Sequence, residues 1–548
     1  MSPYRALFAA ASTLILLAAV AGGCPSATPE ARDADSAGPT PRPPANGEVT
    51  LLLMADIRGV LRPCGCTVDL QKGGFDRLAP FLAKERAHYP DAKLLHAGPI
   101  FFEDAQVDPA KRAQLDRQAQ VAADLVARIG IDVAGATAAD AAAAAGQFKE
   151  LAERAHLTLT AANLNVPGGP PTSPFEVRTI AGVRLGIFAL ASSDEGAQLG
   201  AAGTVAEPVA AATRTVAALA ERADVVVLLS ALGLRETKRL VRKVSGIQFA
   251  VVGGMGEDPA VSDEAELVGA TRVMEFHREG RFVGRLTLKV VNGGTDFADA
   301  SQSSPAELAE LDDRVKRLEQ SLAGWQAKGD GTEREVRSAQ HHLASLKDAR
   351  DKLTARKVEV PRDKSSFSFT LTPLNWDLPQ DPDTLALMNA FEQELAQINV
   401  ASAGTLPEPK EGEAYYVGAS KCFDCHEGPE KFWKNDRHHE AWKTLQDDHK
   451  TFDTQCVSCH VTGYGKPGGS LVGQVKGRTA VQCEACHGPG SQHIKDKQKA
   501  SINGHPTVEV CQGCHNKHHS PTFDFAVYKP KLMVPGHGLA PLPDADDK

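Results

Sequence analysis

Gln482-Cys483-Glu484-Ala485-Cys486-His487-Gly488-Pro489-Gly490 holds one of four copies of the pattern around which this chain is arranged. Cys-x-x-Cys-His also stands at Cys422/Cys425/His426, Cys456/Cys459/His460 and Cys511/Cys514/His515. Two thiols three residues apart reach the two vinyl groups on one edge of a porphyrin, and a histidine directly after them rises onto its iron. That spacing is the attachment signature of c-type haem. One match could be chance, whereas four within about 95 residues form a repeat with one chemical purpose. Paired Cys-x-x-Cys also reads as a zinc knuckle, but a knuckle does not require a histidine after every pair. The reading taken is four covalently bound haem c groups, with His426, His460, His487 and His515 as proximal iron ligands.

Composition agrees. Eight of the 11 cysteines belong to the motifs, which leaves Cys24, Cys64 and Cys66, and 12 of the 18 histidines follow residue 425. Aromatic residues are sparse at 5%, which suits a segment whose core is partly porphyrin. At 548 residues the chain is too long for one core and should hold two or three domains. A net charge of -9 offers no basic face to nucleic acid.

Residues 1–24 read as an export signal: Arg5 gives the charge, residues 6–20 an apolar run short for a membrane span, and Ala21-Gly22-Gly23 precede Cys24. Small residues before a cysteine resemble a bacterial lipoprotein processing site and imply lipidation of Cys24. Ala21 stands where a larger aliphatic residue is commoner, so cleavage without lipid is the alternative. An odd number of non-haem cysteines favours the lipid, because acylation removes the leftover thiol. Residues 25–47, rich in Pro, Ser, Ala and Thr, read as a disordered tether. The expected place is the periplasmic or cell-envelope face of a bacterial membrane.

From residue 48 apolar strands alternate with helical spacing: strands at 50–55, 92–96, 157–162, 184–190, 224–229 and 249–252, helices at 75–89 and 119–129. This alternation predicts an α/β sheet structure with helices on its faces. Met54-Ala55-Asp56-Ile57-Arg58-Gly59, Gly73-Gly74-Phe75, Leu95-His96-Ala97-Gly98-Pro99, Ala162-Asn163-Leu164 and Leu229-Ser230-Ala231-Leu232-Gly233 make residues 48–297 similar to the calcineurin-like metallophosphoesterases, above all their 5'-nucleotidase-like branch. That resemblance implies a two-metal cage of Asp, Asn and His at the strand ends. Here Asp56 is kept, but the His expected two residues later is Arg58, and the bridging Asp is Pro99. The Asn-His pair falls on Ala136 and Thr137, and later His ligands fall on Ala231, Met255 and Glu257. Asp56, Asp140 and Glu257 are too few donors. The expectation is a non-catalytic relative.

Cys64 and Cys66, on a Gly turn after the first strand, read either as a redox or soft-metal pair or as a strained disulfide. Residues 298–360 show two seams, Leu308, Leu311, Val315, Leu318, Leu322, Trp325 and then Val336, Ala339, Leu343, Leu346, Leu353, joined at Gly329-Asp330-Gly331. These predict an antiparallel coiled-coil hairpin. Residues 361–410 form a connecting strand (366–371) and helix (382–398), and 411–548 the haem domain.

Tyr416-Val417-Gly418, His438-x-x-Ala441-Trp442-x-Thr444-Leu445, Cys459-His460-Val461-Thr462-Gly463 and Gln482 through His493 resemble the tetrahaem cytochrome c-554 family over most of 415–537. The resemblance implies a mostly helical and irregular domain, haems packed in close pairs, mostly two His per iron, and room for one five-coordinate haem. Distal candidates are His438, His493 and His537, then His518 or His519, and less convincingly His449. Met533 is the lone Met of the segment, so at most one iron can take a thioether, and low-potential electron carriage is expected. The partners implied are a redox protein donor and acceptor and, through Cys24, a membrane. The alternatives are a reductase of a small nitrogen or sulfur compound at a five-coordinate haem and, behind it, a phosphoester hydrolase. Usable distal His decides between carrier and reductase, because four bis-His irons leave no open position.

Overall fold

The computed structural model describes residues 44–63, 72–253, 264–276, 279–301, 361–375, 378–516, 520, 523–535 and 537–539, with scattered helical positions between 308 and 354. Cys24, the Cys64/Cys66 turn, Met255, Glu257 and the His518/His519 pair lie outside the described residues.

Two sheets carry the first part of the chain. In the larger, strands lie in the order Ala298–Asp299, Ser366–Pro373, Phe282–Val290, Gly47–Ala55, Lys93–Ala97, Val133–Gly135, Leu159–Thr160 and Thr172–Ser173. In the smaller the order is Glu266–Val268, Thr271–Glu275, Phe249–Val252, Val225–Ser230, Val183–Leu190 and Glu176–Ile180. Gly47–Ala55 pairs in parallel with Lys93–Ala97, placing Leu53 beside Leu95, and antiparallel with Phe282–Val290. Its run of apolar residues is what a strand covered on both faces requires. With a side-chain period of two, Leu51 and Leu53 enter a core shared with Leu185, Ile187, Val227 and Leu229 of the other sheet. Leu52 and Met54 face the opposite way, toward Leu78, Leu82 and Leu125 on the outer helices.

Those helices are Phe75–His88 and Arg112–Ile129, the second ended by Gly130 at φ +67, and Pro382–Ser402, whose N-cap Asp381 accepts from Thr384 N. Arg117 bridges Glu394 at 2.6 Å, tying the last helix to the second. The strand Ser366–Pro373 pairs antiparallel with Phe282–Val290, and Phe367 meets Phe249 edge-on at 5.7 Å. The segment 361–410 is thus sewn into the α/β layers. Between them, Lys347 bridges Glu319 at 2.6 Å and Arg350 bridges Asp312 at 3.8 Å across the two helical stretches.

The rest is a series of short helices, among them Ser420–Phe423, Glu427–Lys434, Arg437–Asp447, Thr454–His460, Cys483–His487, Ser491–Asp496, Val508–Gln512 and Phe525–Leu532. As the sequence predicts, an α/β sheet domain is followed by a helical, irregular region; most of the coiled-coil hairpin expected between them lies outside the described residues. Among the described residues no helix is long and apolar enough to cross a membrane.

Candidate haem centre

The four motifs converge. Cys422 of the first neighbours Cys483 of the third, and Cys459 of the second neighbours Cys514 of the fourth, its Sγ 3.9 Å from Gly513 O. Cys486 of the third has Cys511 of the fourth as a charge neighbour. In space the motifs therefore run first, third, fourth, second, an order that chain sequence does not contain.

The eight attachment cysteines are not equally exposed. Seven of the motif thiols are half-buried, whereas Cys425 is exposed. Its amide donates to Cys422 O at 3.2 Å in the turn that closes the short helix Ser420–Phe423. That turn carries Asp424, Cys425, His426 and Glu427 outward together, so the first motif lies at the rim of the cluster. A thioether requires reach to a vinyl group rather than burial.

The imidazoles pair across motifs. His426 faces His493 with ring centres 6.3 Å apart, His515 faces His438 at 6.1 Å, and His487 faces His537 at 6.3 Å. An iron held by two imidazoles, with bonds of about 2 Å and about 1.1 Å from each nitrogen to its ring centre, needs ring centres roughly 6 Å apart. All three pairs have that span. The rings of His426 and His493 are within 25° of parallel, while the other two pairs stand at 86° and 80°.

Ring orientation is fixed from behind, as metal-ligating histidines require. Nδ1–H donates to Asn503 O in His487 (2.7 Å), to Gln498 O in His493 (2.9 Å) and to Leu532 O in His537 (2.6 Å). In His460 it donates to Ala441 O at 2.5 Å, in His438 to Asp436 Oδ1 at 2.6 Å, and in His515 it meets Ser520 Oγ at 3.2 Å. For six of the seven imidazoles in question Nε2 is the nitrogen left for iron. The residues present fit bis-imidazole haem at three motifs.

The second motif differs. Among the described residues no second imidazole faces His460. His439 packs edge-on against Trp433 at 4.4 Å, and His449, in a turn at φ +59, faces no proximal ring. Cys456 there has Glu392 of the α/β domain as a charge neighbour, and burial, then the charge of Asp453, push the Glu392 carboxyl up to about 7.

Two positioning groups are missed by motif reading. Glu484, buried inside the third motif, accepts from Val417 N (2.9 Å), Gly418 N (2.6 Å) and Gly490 N (2.7 Å). It clips the approach to the first motif onto the third, and its Cys-Glu-x-Cys setting is the only signal for it in the sequence. The second is Gln114, buried in the helix Arg112–Ile129, which reaches the helix of the second motif.

The positions where the sequence resemblance expects metal ligands are engaged otherwise. Asp140 spends its carboxylate on Ile100 N (2.8 Å), Phe101 N (2.9 Å) and Phe102 N (3.1 Å). The Arg58 guanidinium sits 3.4 Å from Asp56. Among the described residues no group of three or more His, Cys, Asp or Glu is arranged to hold a metal ion.

Residues 421–488 match the family model of cytochrome c554 and c-prime. Cytochrome c-554 of Nitrosomonas europaea is 34% identical over 104 residues, covering 16% of this chain and 44% of that protein. The chain thus spans less than half the length of the curated relative it matches. Among solved structures, the 5'-nucleotidase precursor of Thermus thermophilus superposes with a TM-score of 0.43 at 14% identity, covering 79% of this chain and 72% of the other. A Thermus thermophilus sulfate thiohydrolase gives 0.39 at 16% identity, covering 46% and 55%. NAD nucleotidase of Haemophilus influenzae gives 0.37 at 18%, covering 45% and 54%.

Proposed function

We propose that this chain is a c-type cytochrome that carries four haems and passes electrons between redox-protein partners outside the cytoplasm, with a non-catalytic phosphoesterase-like domain as its scaffold. The single observation that supports it is the set of three imidazole pairs at 6.1–6.3 Å. Bound haem supplies reversible one-electron storage, at low potential where both axial ligands are His. His426/His493, His487/His537 and His515/His438 would hold iron, and the eight motif cysteines, the exposed Cys425 included, would attach the porphyrins, with the centres in the order first, third, fourth, second. Cys24 is the proposed lipid anchor, with the segment between it and Pro44 as tether; the expected tether ends earlier than 47, because Ala45 is buried in the core and Gly47 begins a strand.

A second reading, reduction of a small nitrogen or sulfur compound, is favoured at one place only. His460 lacks a facing imidazole among the described residues, so the second motif is the candidate five-coordinate centre.

Electron paramagnetic resonance of the oxidised protein, with haem counted by pyridine haemochrome, tests both. The expected result is four haems per chain, with low-spin signals from the three imidazole pairs; a high-spin centre that binds cyanide or nitric oxide would favour the second reading. Four low-spin signals indifferent to cyanide and nitric oxide would remove the second reading; fewer than four haems would sink the tetrahaem assignment.

A further inference from the structure

A cavity of about 520 Å³ opens where the dismantled cage stood, at the carboxyl ends of the strands, bordered by Arg58, Glu103, Asp104, Asp194, Glu195 and Ala231. It falls in the size range of small-molecule sites. Arg58 and Ala231 occupy positions where the phosphoesterase resemblance expects metal-binding His.

The charge pattern restricts what can enter. Arg58 is held at φ +53, as is Asp56, a strained backbone that persists only where its surroundings enforce it. Its side chain is 2% exposed, and Nη1 donates to the Glu103 carbonyl. Nη2 stands 3.4 Å from Asp56 Oδ1, and neither Nε nor Nη2 has a hydrogen-bond partner. A buried guanidinium with open donors is costly unless an acceptor completes it. The wall also carries the opposite deficit, because Glu195 Oε2 is buried without a hydrogen-bond partner. Burial pushes the Glu195 carboxyl up to about 7, against the pull of Arg58.

A simple anion that satisfied Arg58 would face Glu103, Asp104, Asp194 and Glu195. A bare divalent cation would meet the buried guanidinium and find no imidazole. We infer that the cavity is a site for a small zwitterion, with its carboxylate on Arg58 and its ammonium toward Glu195 and Asp194, the chemistry of a free α-amino acid. Carboxylate on guanidinium is the planar, two-point match for which Arg is suited.

Isothermal titration of the whole haem-loaded protein with the twenty common amino acids, acetate and ethylammonium tests this. At least one zwitterion should bind, and acetate and ethylammonium at least roughly tenfold more weakly. Arg58→Met should abolish binding, and the milder Glu195→Gln should weaken the zwitterion roughly tenfold while strengthening acetate. Haem content and spectra, unchanged in Glu195→Gln, separate this outcome from the electron-transfer reading. Silence across the whole panel, equal binding of acetate and the zwitterion, or zwitterion binding untouched by Glu195→Gln would overturn the inference.

Discussion

His96 is the residue whose environment costs the fold most visibly. It is fully buried on the strand Lys93–Ala97 with neither ring nitrogen hydrogen-bonded, and burial, then the charge of Arg58, hold its pKa down to about 3. The folded state therefore binds fewer protons than the unfolded chain between pH 6.5 and about 3. Stability from this group is full above pH 6.5 and is lost as the pH falls, by about 2 kcal/mol between pH 7 and pH 5. His96→Leu should flatten that slope, read by urea denaturation at the two pH values. An unchanged slope would place the acid sensitivity elsewhere. At this scale the haem motifs were legible, because covalent chemistry dictates their spacing. The unequal exposure of their thiols was not, since Cys425 differs from Cys422 only in which way its turn faces. The sequence also singles out His438, His493 and His537, as imidazoles with enough chain to fold back, and each faces a motif histidine. Their partners were not legible: His438 precedes the second motif yet faces His515 of the fourth, a match decided by tertiary packing. Glu484 and Arg58 are ordinary surface types by composition, and only their burial gives them a role.

At the scale of elements, the helix Arg112–Ile129 begins seven residues before the apolar spacing at 119 predicts it. Its first turns are polar because they meet polar partners. Gln114 Nε2 donates to Asp453 Oδ1 at 2.6 Å, and its Oε1 accepts from Thr454 Oγ1 (2.6 Å), Thr454 N (3.1 Å) and Asn399 Nδ2 (2.7 Å). Asp453 is the N-cap of Thr454–His460, the helix of the second motif. One amide thus joins two layers of the α/β domain to the mount of one haem. Gln114→Leu leaves Asn399 and the cap without their partner, at a cost of about 2–4 kcal/mol. The expected result is a shifted midpoint for the second-motif centre alone in a spectroscopic redox titration, with the three paired centres unmoved. A uniform shift of all centres would assign Gln114 to general stability instead.

For the whole molecule the two halves are held together by different material. The α/β domain buries a long roll of aliphatic and aromatic side chains between and outside its sheets. Among the described residues the buried apolar cluster of the haem region is Leu445, Val457, Val461 and Val472, with Trp442, Phe452, Tyr464 and Val475 partly buried against it. So few side chains cannot offset the ordering entropy of more than about a hundred residues at roughly 1–2 kcal/mol each. On the proposed function, porphyrin supplies the rest of that interior. Folding of the haem region should then depend on attachment, as folding of small metal domains depends on their ligand. A chain with all eight motif cysteines changed to Ala should keep the thermal transition of the α/β domain, while brief protease treatment followed by mass spectrometry finds cuts throughout 417–539. Protection of that region without haem would mean that its polar clips, Glu484 and Gln482 on the approach to the first motif, carry the fold by themselves. So small an apolar cluster makes that outcome hard to reconcile with the energetics.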